Sequence, residues 1–275
     1  MVYSLLFVLL LQPQTGSLPR LYEENLARVE AANGPDARET GQAALDFGIL
    51  LLRVGQAEAA TATLARAVKI LGSDEARELH GRALLSAGQP EQARAVFTQL
   101  SGSSDHKFAA AAFTLLAEAS EDRGAACALY RKANSLEETS ARLNALGLCE
   151  RDLGQLPASL SHFRRALVLD EKATGPQSAV TLNNLARTLM QSGSEVEAQA
   201  LQYRSWRILD KTLGPRHTRT AVSASTLGDI LQSRGKLLEA RQFYSIALAI
   251  FQLRLGRDHP WTQAAQAALA STLRP

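Results

Sequence analysis

The chain has 275 residues, 46% of them hydrophobic, 21% charged and only 5% aromatic. That composition excludes a disordered chain, and few aromatics with nine prolines favour helix over strand. The formal net charge of +3 is uneven: residues 20–139 hold 13 Lys/Arg against 17 Asp/Glu, and residues 140–275 hold 17 against 10. An acidic partner for the second half is one implication of this asymmetry.

The first 17 residues, MVYSLLFVLLLQPQTGS, contain an apolar run from Val2 to Leu11. It has the length of a secretory signal core and is too short for a stable membrane span. Thr15 and Ser17 are small residues suited to cleavage after Ser17, although no Lys or Arg precedes the run. The expectation is export to a periplasmic or extracellular space, and otherwise a cytoplasmic location. Residues 18–35 are expected to form an N-terminal capping helix and a linker.

From residue 36 to the end the sequence repeats itself. LDFGILLLRVGQAEAATATLARAVKI has Phe47-Gly48, then Gly55, Ala60 and Ala67. ELHGRALLSAGQPEQARAVFTQL has Gly81, Gly88, Ala93 and Phe97. A shortened copy carries Ala117, Ala126, Tyr130 and Ala133. The next has Leu146-Gly147, Gly154, Phe163 and Ala166. TLNNLARTLMQSGSEVEAQALQYRSWRI then matches SASTLGDILQSRGKLLEARQFYSIALAI at an offset of 42. A half copy closes the chain at Leu269-Ala270.

Within each copy, apolar residues recur at helical spacing, as in Leu182, Leu185, Ala186 and Leu189. Glycine inside a helix costs about 1 kcal/mol against alanine, so Gly48, Gly81, Gly147 and Gly228 imply close helix approach. Gly55, Gly88, Gly154, Gly193 and Gly235 read as C-terminal stops of the first helices. Pro90 and Pro157 open second helices, where a missing N–H does no harm.

LGPRHTRT at 213–220 and LGRDHPWT at 255–262 join one helix pair to the next. Gly214 and Gly256 end helices, and His217, Thr218 or Asp258 can cap the following ones. His217 and His259 are therefore turn residues rather than metal ligands. The matching stretch GPQSAV at 175–180 has no histidine, which a turn tolerates and a metal site would not.

This skeleton and its spacing resemble the tetratricopeptide repeat (TPR), and the last two units resemble its longer, kinesin-light-chain-like 42-residue variety. The resemblance implies an all-α solenoid of about six stacked antiparallel helix pairs with a terminal capping helix, wound as a right-handed superhelix. It also implies a groove lined by first helices that holds a peptide or partner helix. Carried onto this chain, the groove faces are Leu45, Ile49 and Arg53; Glu78 and Arg82; Thr114 and Glu118; Asn144 and Arg151; Asn183 and Arg187; Ser225 and Asp229. Asn144, Asn183 and Ser225 hold matching places and suit gripping an extended backbone. Arg151 and Arg187 suit acidic side chains or a carboxylate terminus.

Chemistry is scarce by comparison. The sequence has no GxSxG, no phosphate loop, no HExxH and no Cys/His zinc spacing. No catalytic residue, metal site or cofactor is expected. In SGSSDHKF at 101–108, Ser103, Ser104 or Asp105 reads as a helix cap rather than part of a triad. His80 falls on a core face, and His162 has no partner visible in sequence. Cys127 and Cys149 could pair in an exported protein or remain buried thiols in a reducing one. Arg204, Arg207, Lys211, Arg216 and Arg219 form a basic cluster, for which a solvated face is the plainer reading. Nucleic-acid binding is disfavoured by the near-neutral charge. The expectation is a non-catalytic scaffold or adaptor for a protein or peptide, with an acidic partner the one the charge asymmetry favours; a peptide-sensing regulatory module is the alternative.

Overall fold

The computed structural model describes residues 17–172 and 175–273. The apolar run at 2–11 and its cleavage residues up to 16 lie outside them. Among the described residues every regular element is a helix, fourteen in all. They are α1 (Ser17–Asn33), α2 (Arg38–Arg53), α3 (Ala57–Leu71), α4 (Asp74–Ser86), α5 (Pro90–Leu100), α6 (His106–Glu118) and α7 (Arg123–Leu136) in one compact unit. A second unit holds α8 (Ser140–Asp152), α9 (Leu156–Lys172), α10 (Gln177–Gln191), α11 (Glu195–Leu213), α12 (Thr218–Ser233), α13 (Leu237–Leu255) and α14 (Pro260–Ser271). Within each unit every helix packs against the next, the architecture of a TPR-like solenoid.

Five pairs share one turn. The backbone N–H after the turn glycine reaches back to the fifth residue before it: Gln56 to Leu51, Gln89 to Leu84, Gln155 to Glu150, Ser194 to Leu189 and Lys236 to Leu231, all at 2.8–2.9 Å. That bond needs a left-handed residue between helices, and Gly235 supplies it at φ +73°. The short copy lacks the glycine. Asp122 replaces it, accepting from the N–H groups of Gly124 at 2.7 Å and Ala125 at 3.2 Å.

Inside each pair the small residue of the first helix meets the residue sixteen positions later. Gly48 lies under Leu64, Gly81 under Phe97, Gly147 under Phe163 and Gly228 under Tyr244. A Cβ on Gly228 would stand 2.6 Å from Tyr244 Cε1, closer than two carbons approach. Where the first helix has Ala instead, the partner is smaller or thinner: Ala117 goes with Ala133, and Ala186 with Gln202. These pairs are the centre of the core.

Three of the connectors between pairs are built on a Gly and a Thr six residues apart. Thr40 Oγ1 donates to the Gly34 carbonyl at 2.7 Å, Thr220 to Gly214 at 3.0 Å and Thr262 to Gly256 at 2.7 Å. The stretch at 34–40 is thus a further copy, unrecognised in sequence because Ala37 stands in the histidine's place. His217 and His259 are the caps themselves: each Nδ1 accepts the backbone N–H two residues on, from Arg219 at 3.0 Å and Trp261 at 3.1 Å. We expect His217→Ala to cost about 1 kcal/mol of stability in chemical unfolding, and His217→Asp to recover most of it. Equal stability of all three proteins would show that the ring is not a cap.

Candidate functional site

The exposed faces of the first helices carry the candidate site. In the first unit Arg53 is exposed at the end of α2, whereas Leu45 is only 2% exposed and belongs to the core. Arg82 is held by Glu78 one turn earlier on α4, its Nε and Nη2 at 3.0 and 2.8 Å from Glu78 Oε1. Thr114 donates to the Ala110 carbonyl at 2.8 Å, and Glu118 is exposed at the end of α6.

The second unit holds the other six predicted residues, and it sorts them sharply. Asn144 is 6% exposed. Its Nδ2 donates to Thr181 Oγ1 at 2.7 Å and to the Ser140 carbonyl at 2.9 Å, and its Oδ1 accepts from Asn184 at 3.1 Å. Thr181 in turn donates to the buried carboxylate of Asp170 at 2.5 Å. Asn144 is therefore not an exposed groove residue. Its amide is consumed in a buried chain that ties α8 to α9 and α10. Arg151 likewise keeps only 14% of its side chain exposed, with Asp152 at 3.5 Å.

Asn183 is half-buried, and its Nδ2 donates to Gln202 Oε1 at 3.2 Å. Gln202 donates onward to the carbonyl and hydroxyl of Ser223, both at 3.0 Å. Ser225 is half-buried on α12. Arg187 and Asp229 remain exposed, at equivalent positions on α10 and α12. They form no ion pair with each other, but the charge of Arg187 still acts on the Asp229 carboxylate at longer range. Burial around Asp229 outweighs that help. It raises the carboxyl above its ordinary value, while the hydrogen bond from Tyr244 and the charge of Arg187 pull the other way. The Tyr244 hydroxyl lies 2.8 Å from Asp229 Oδ1 and 2.8 Å from Gln232 Oε1. Burial and the Asp229 carboxylate push that phenol upward, so it stays protonated and donates. Tyr244 thus reaches from the core to fix an exposed carboxylate, a role invisible in the repeat pattern.

Of the other histidines, His162 does have a partner. Its Nδ1 lies 2.7 Å from Oε2 of buried Glu150, across the turn between α8 and α9. His80 is half-buried on α4, and burial lowers its pKa from the ordinary 6.5. The unfolded chain therefore binds this proton more tightly than the fold does. The contribution is whole above about pH 6.5 and is lost as the medium acidifies. We expect His80→Gln to flatten the fall in melting temperature between about pH 7.5 and about pH 5. An unchanged slope would remove His80 from the acid response.

Cys127 and Cys149 are both buried, and neither is a free thiol. Among the described residues, no cluster of three or more His, Cys, Asp or Glu is placed to hold a metal ion. No helix among them is long and apolar enough to cross a membrane.

Residues 177–244, which span α10 to the first half of α13, match the tetratricopeptide repeat family model. The chain carries tetratricopeptide repeats, and proteins built from this repeat typically mediate protein–protein interactions. No curated protein matches the chain in sequence. Among solved structures, it resembles the anaphase-promoting complex hetero-tetramer Cut9–Hcn1 with TM-score 0.66 at 15% identity, over 94% of this chain. It spans about half, 47%, of that structure's chain. The nearly identical TPR-like repeats of a kinesin light chain from Podosopora anserina align over 65% of this chain and 95% of theirs, with TM-score 0.54 and 20% identity. A signal-transduction ATPase with numerous domains and a tetratricopeptide repeat sensor, from Pyrococcus horikoshii, aligns with TM-score 0.73 and 15% identity. That match covers 92% of this chain and 40% of the other. At these identities the likeness is one of fold.

Proposed function

We propose that this repeat chain is a non-catalytic scaffold or adaptor, and that it holds a segment of a partner protein on the exposed faces of its first helices. The observation that carries the reading is the Arg187–Asp229 pair. Two opposite charges stand exposed at equivalent positions of consecutive first helices, the arginine near enough for its charge to act on the carboxylate, and a core tyrosine hydrogen-bonds that carboxylate. Such a pair offers an acceptor and a donor to a bound chain, while the buried amides around it keep its floor rigid. Arg187 is the contact suited to an acidic side chain or a carboxylate terminus.

The test is cross-linking capture from the native host, comparing the wild type with Arg187→Glu. The substitution is exposed, so the fold survives, and it sets a second carboxylate beside Asp229. We expect the captured partner to fall at least tenfold. Capture of the same protein at the same level would move the interaction off this face.

A regulatory reading has one observation in its favour: the repeat region of the Pyrococcus protein is described as a sensor. A sensor would bind a free peptide. Calorimetry with a short acidic peptide of the captured partner separates it from an adaptor that needs the whole protein.

A further inference from the structure

The second helices of the second unit carry a different surface. α11 and α13 both pack on α12 and meet through their side chains: Trp206 meets Phe243 edge-on at 5.3 Å between ring centroids, while Arg234, just past the end of α12, hydrogen-bonds Gln199 on α11. Both helices have 19 residues, and equivalent positions differ by 42. The outer row of α11 is cationic, with Arg204, Arg207 and Lys211 exposed, followed by Arg219 at the start of α12. Among the described residues, Arg207, Lys211 and Arg219 make no ion pair. At the same four positions one repeat later stand Ile246, Ala249, Leu253 and Trp261. All four are exposed, Leu253 at 63% and Trp261 at 50%. Residues 198–209 and 240–257 contain no Asp or Glu at all.

A cationic ridge therefore runs beside an apolar ridge in the same register. We propose that the furrow between them is a second docking surface, and that its occupant is an amphipathic helix with acidic residues along one edge and apolar residues along the adjacent edge. The separation of the two characters points to a helix. An amphipathic helix presents two adjacent edges of different chemistry, with side chains at three- and four-residue spacing. Arg204, Arg207 and Lys211 repeat at that spacing and match acidic side chains turn for turn. Leu238, which is 74% exposed, extends the apolar ridge to Leu253, a length of about 22 Å at 1.5 Å per residue, or four turns of a partner helix. An anionic bilayer, by contrast, reads only summed charge and apolar area. It would also press against Glu195, Glu197 and Glu239 at the opposite ends of the same two helices.

The surface is independent of the Arg187–Asp229 face, and the experiment keeps the two apart. The probe is a labelled helical peptide of about 18 residues with glutamates on one edge and leucines on the adjacent edge, titrated with the full chain by fluorescence anisotropy. A peptide of the same composition in scrambled order is the control. We expect the ordered peptide to bind at least tenfold more tightly than the scrambled one. Arg207→Glu/Lys211→Glu and Leu253→Glu should each weaken it at least tenfold, with Arg187→Glu without effect. Binding should weaken steeply with added salt in the wild type and little in the double charge reversal. Equal binding of ordered and scrambled peptides would overturn the proposal. So would undiminished binding by both variants. Sedimentation with phosphatidylserine vesicles, without binding of the peptide, would assign the face to a lipid surface instead.

Discussion

Gly81→Ala is expected to destabilise the protein by about 1–3 kcal/mol, and the same substitution is expected to be neutral or stabilising in the Phe97→Ala background. The sign change follows from two opposed terms. Alanine in a helix interior gains about 1 kcal/mol over glycine. A Cβ at Gly81, however, would overlap the Phe97 ring, which is fully buried among Leu84, Ala93, Leu100, Ala112 and Leu115. With the ring in place, something in a close-packed cluster has to move, and overpacking wins. With the ring removed, the new methyl group enters space that Phe97→Ala has emptied, and only the helix gain remains. The Phe97→Ala change alone costs about 3–5 kcal/mol as a cavity. The double variant recreates the natural Ala117–Ala133 pair of the short copy. Chemical unfolding of the four proteins in a double-mutant cycle reads the coupling directly. Stabilisation by Gly81→Ala in both backgrounds would show that close approach is not what holds glycine there.

That pairing was present in the sequence at a constant spacing of sixteen, with Leu, Phe or Tyr opposite each Gly and Ala or Gln opposite each Ala. Periodicity and turn glycines were enough to place the helix pairs, because those signals are local. The caps were legible in outline: one turn length narrowed them to a few residues, and the side-chain geometry chose His217. The site was less legible. Asn144 and Asn183 occupy equivalent positions, yet one is buried and the other half-exposed. The difference comes from Thr181 and Asn184, which the next pair brings against Asn144 from 37 and 40 residues away. Likewise, Glu150 reaches His162 only because the turn folds α9 back on α8. A repeat skeleton assigns faces, but the neighbouring pair decides which polar groups on them are spent.

Thr181→Val should therefore cost far more than its shape suggests, about 2–4 kcal/mol, while leaving the exposed Arg187–Asp229 face in place. Valine matches threonine in volume and lacks only the hydroxyl. That hydroxyl accepts from Asn144 and donates to Asp170, and all three side chains are buried. Its loss strands an amide donor and takes a hydrogen bond from a carboxylate that is only 4% exposed. A bond to a charged group is worth about 1.5–3 kcal/mol, and an unsatisfied buried donor adds about 1–3 kcal/mol before relaxation. Thr262→Val is the internal comparison. It occupies the same position in its connector and is as deeply buried, but among the described residues its hydroxyl meets only the Gly256 carbonyl. It should cost about 0.5–1.5 kcal/mol. Asn144→Ala should resemble Thr181→Val in stability, and partner capture measured on the folded fraction should be unchanged. If Asn144→Ala instead abolished capture at wild-type stability, the amide would be a contact after all. Equal costs for Thr181→Val and Thr262→Val would mean that the buried chain through Asp170 adds nothing beyond an ordinary connector bond.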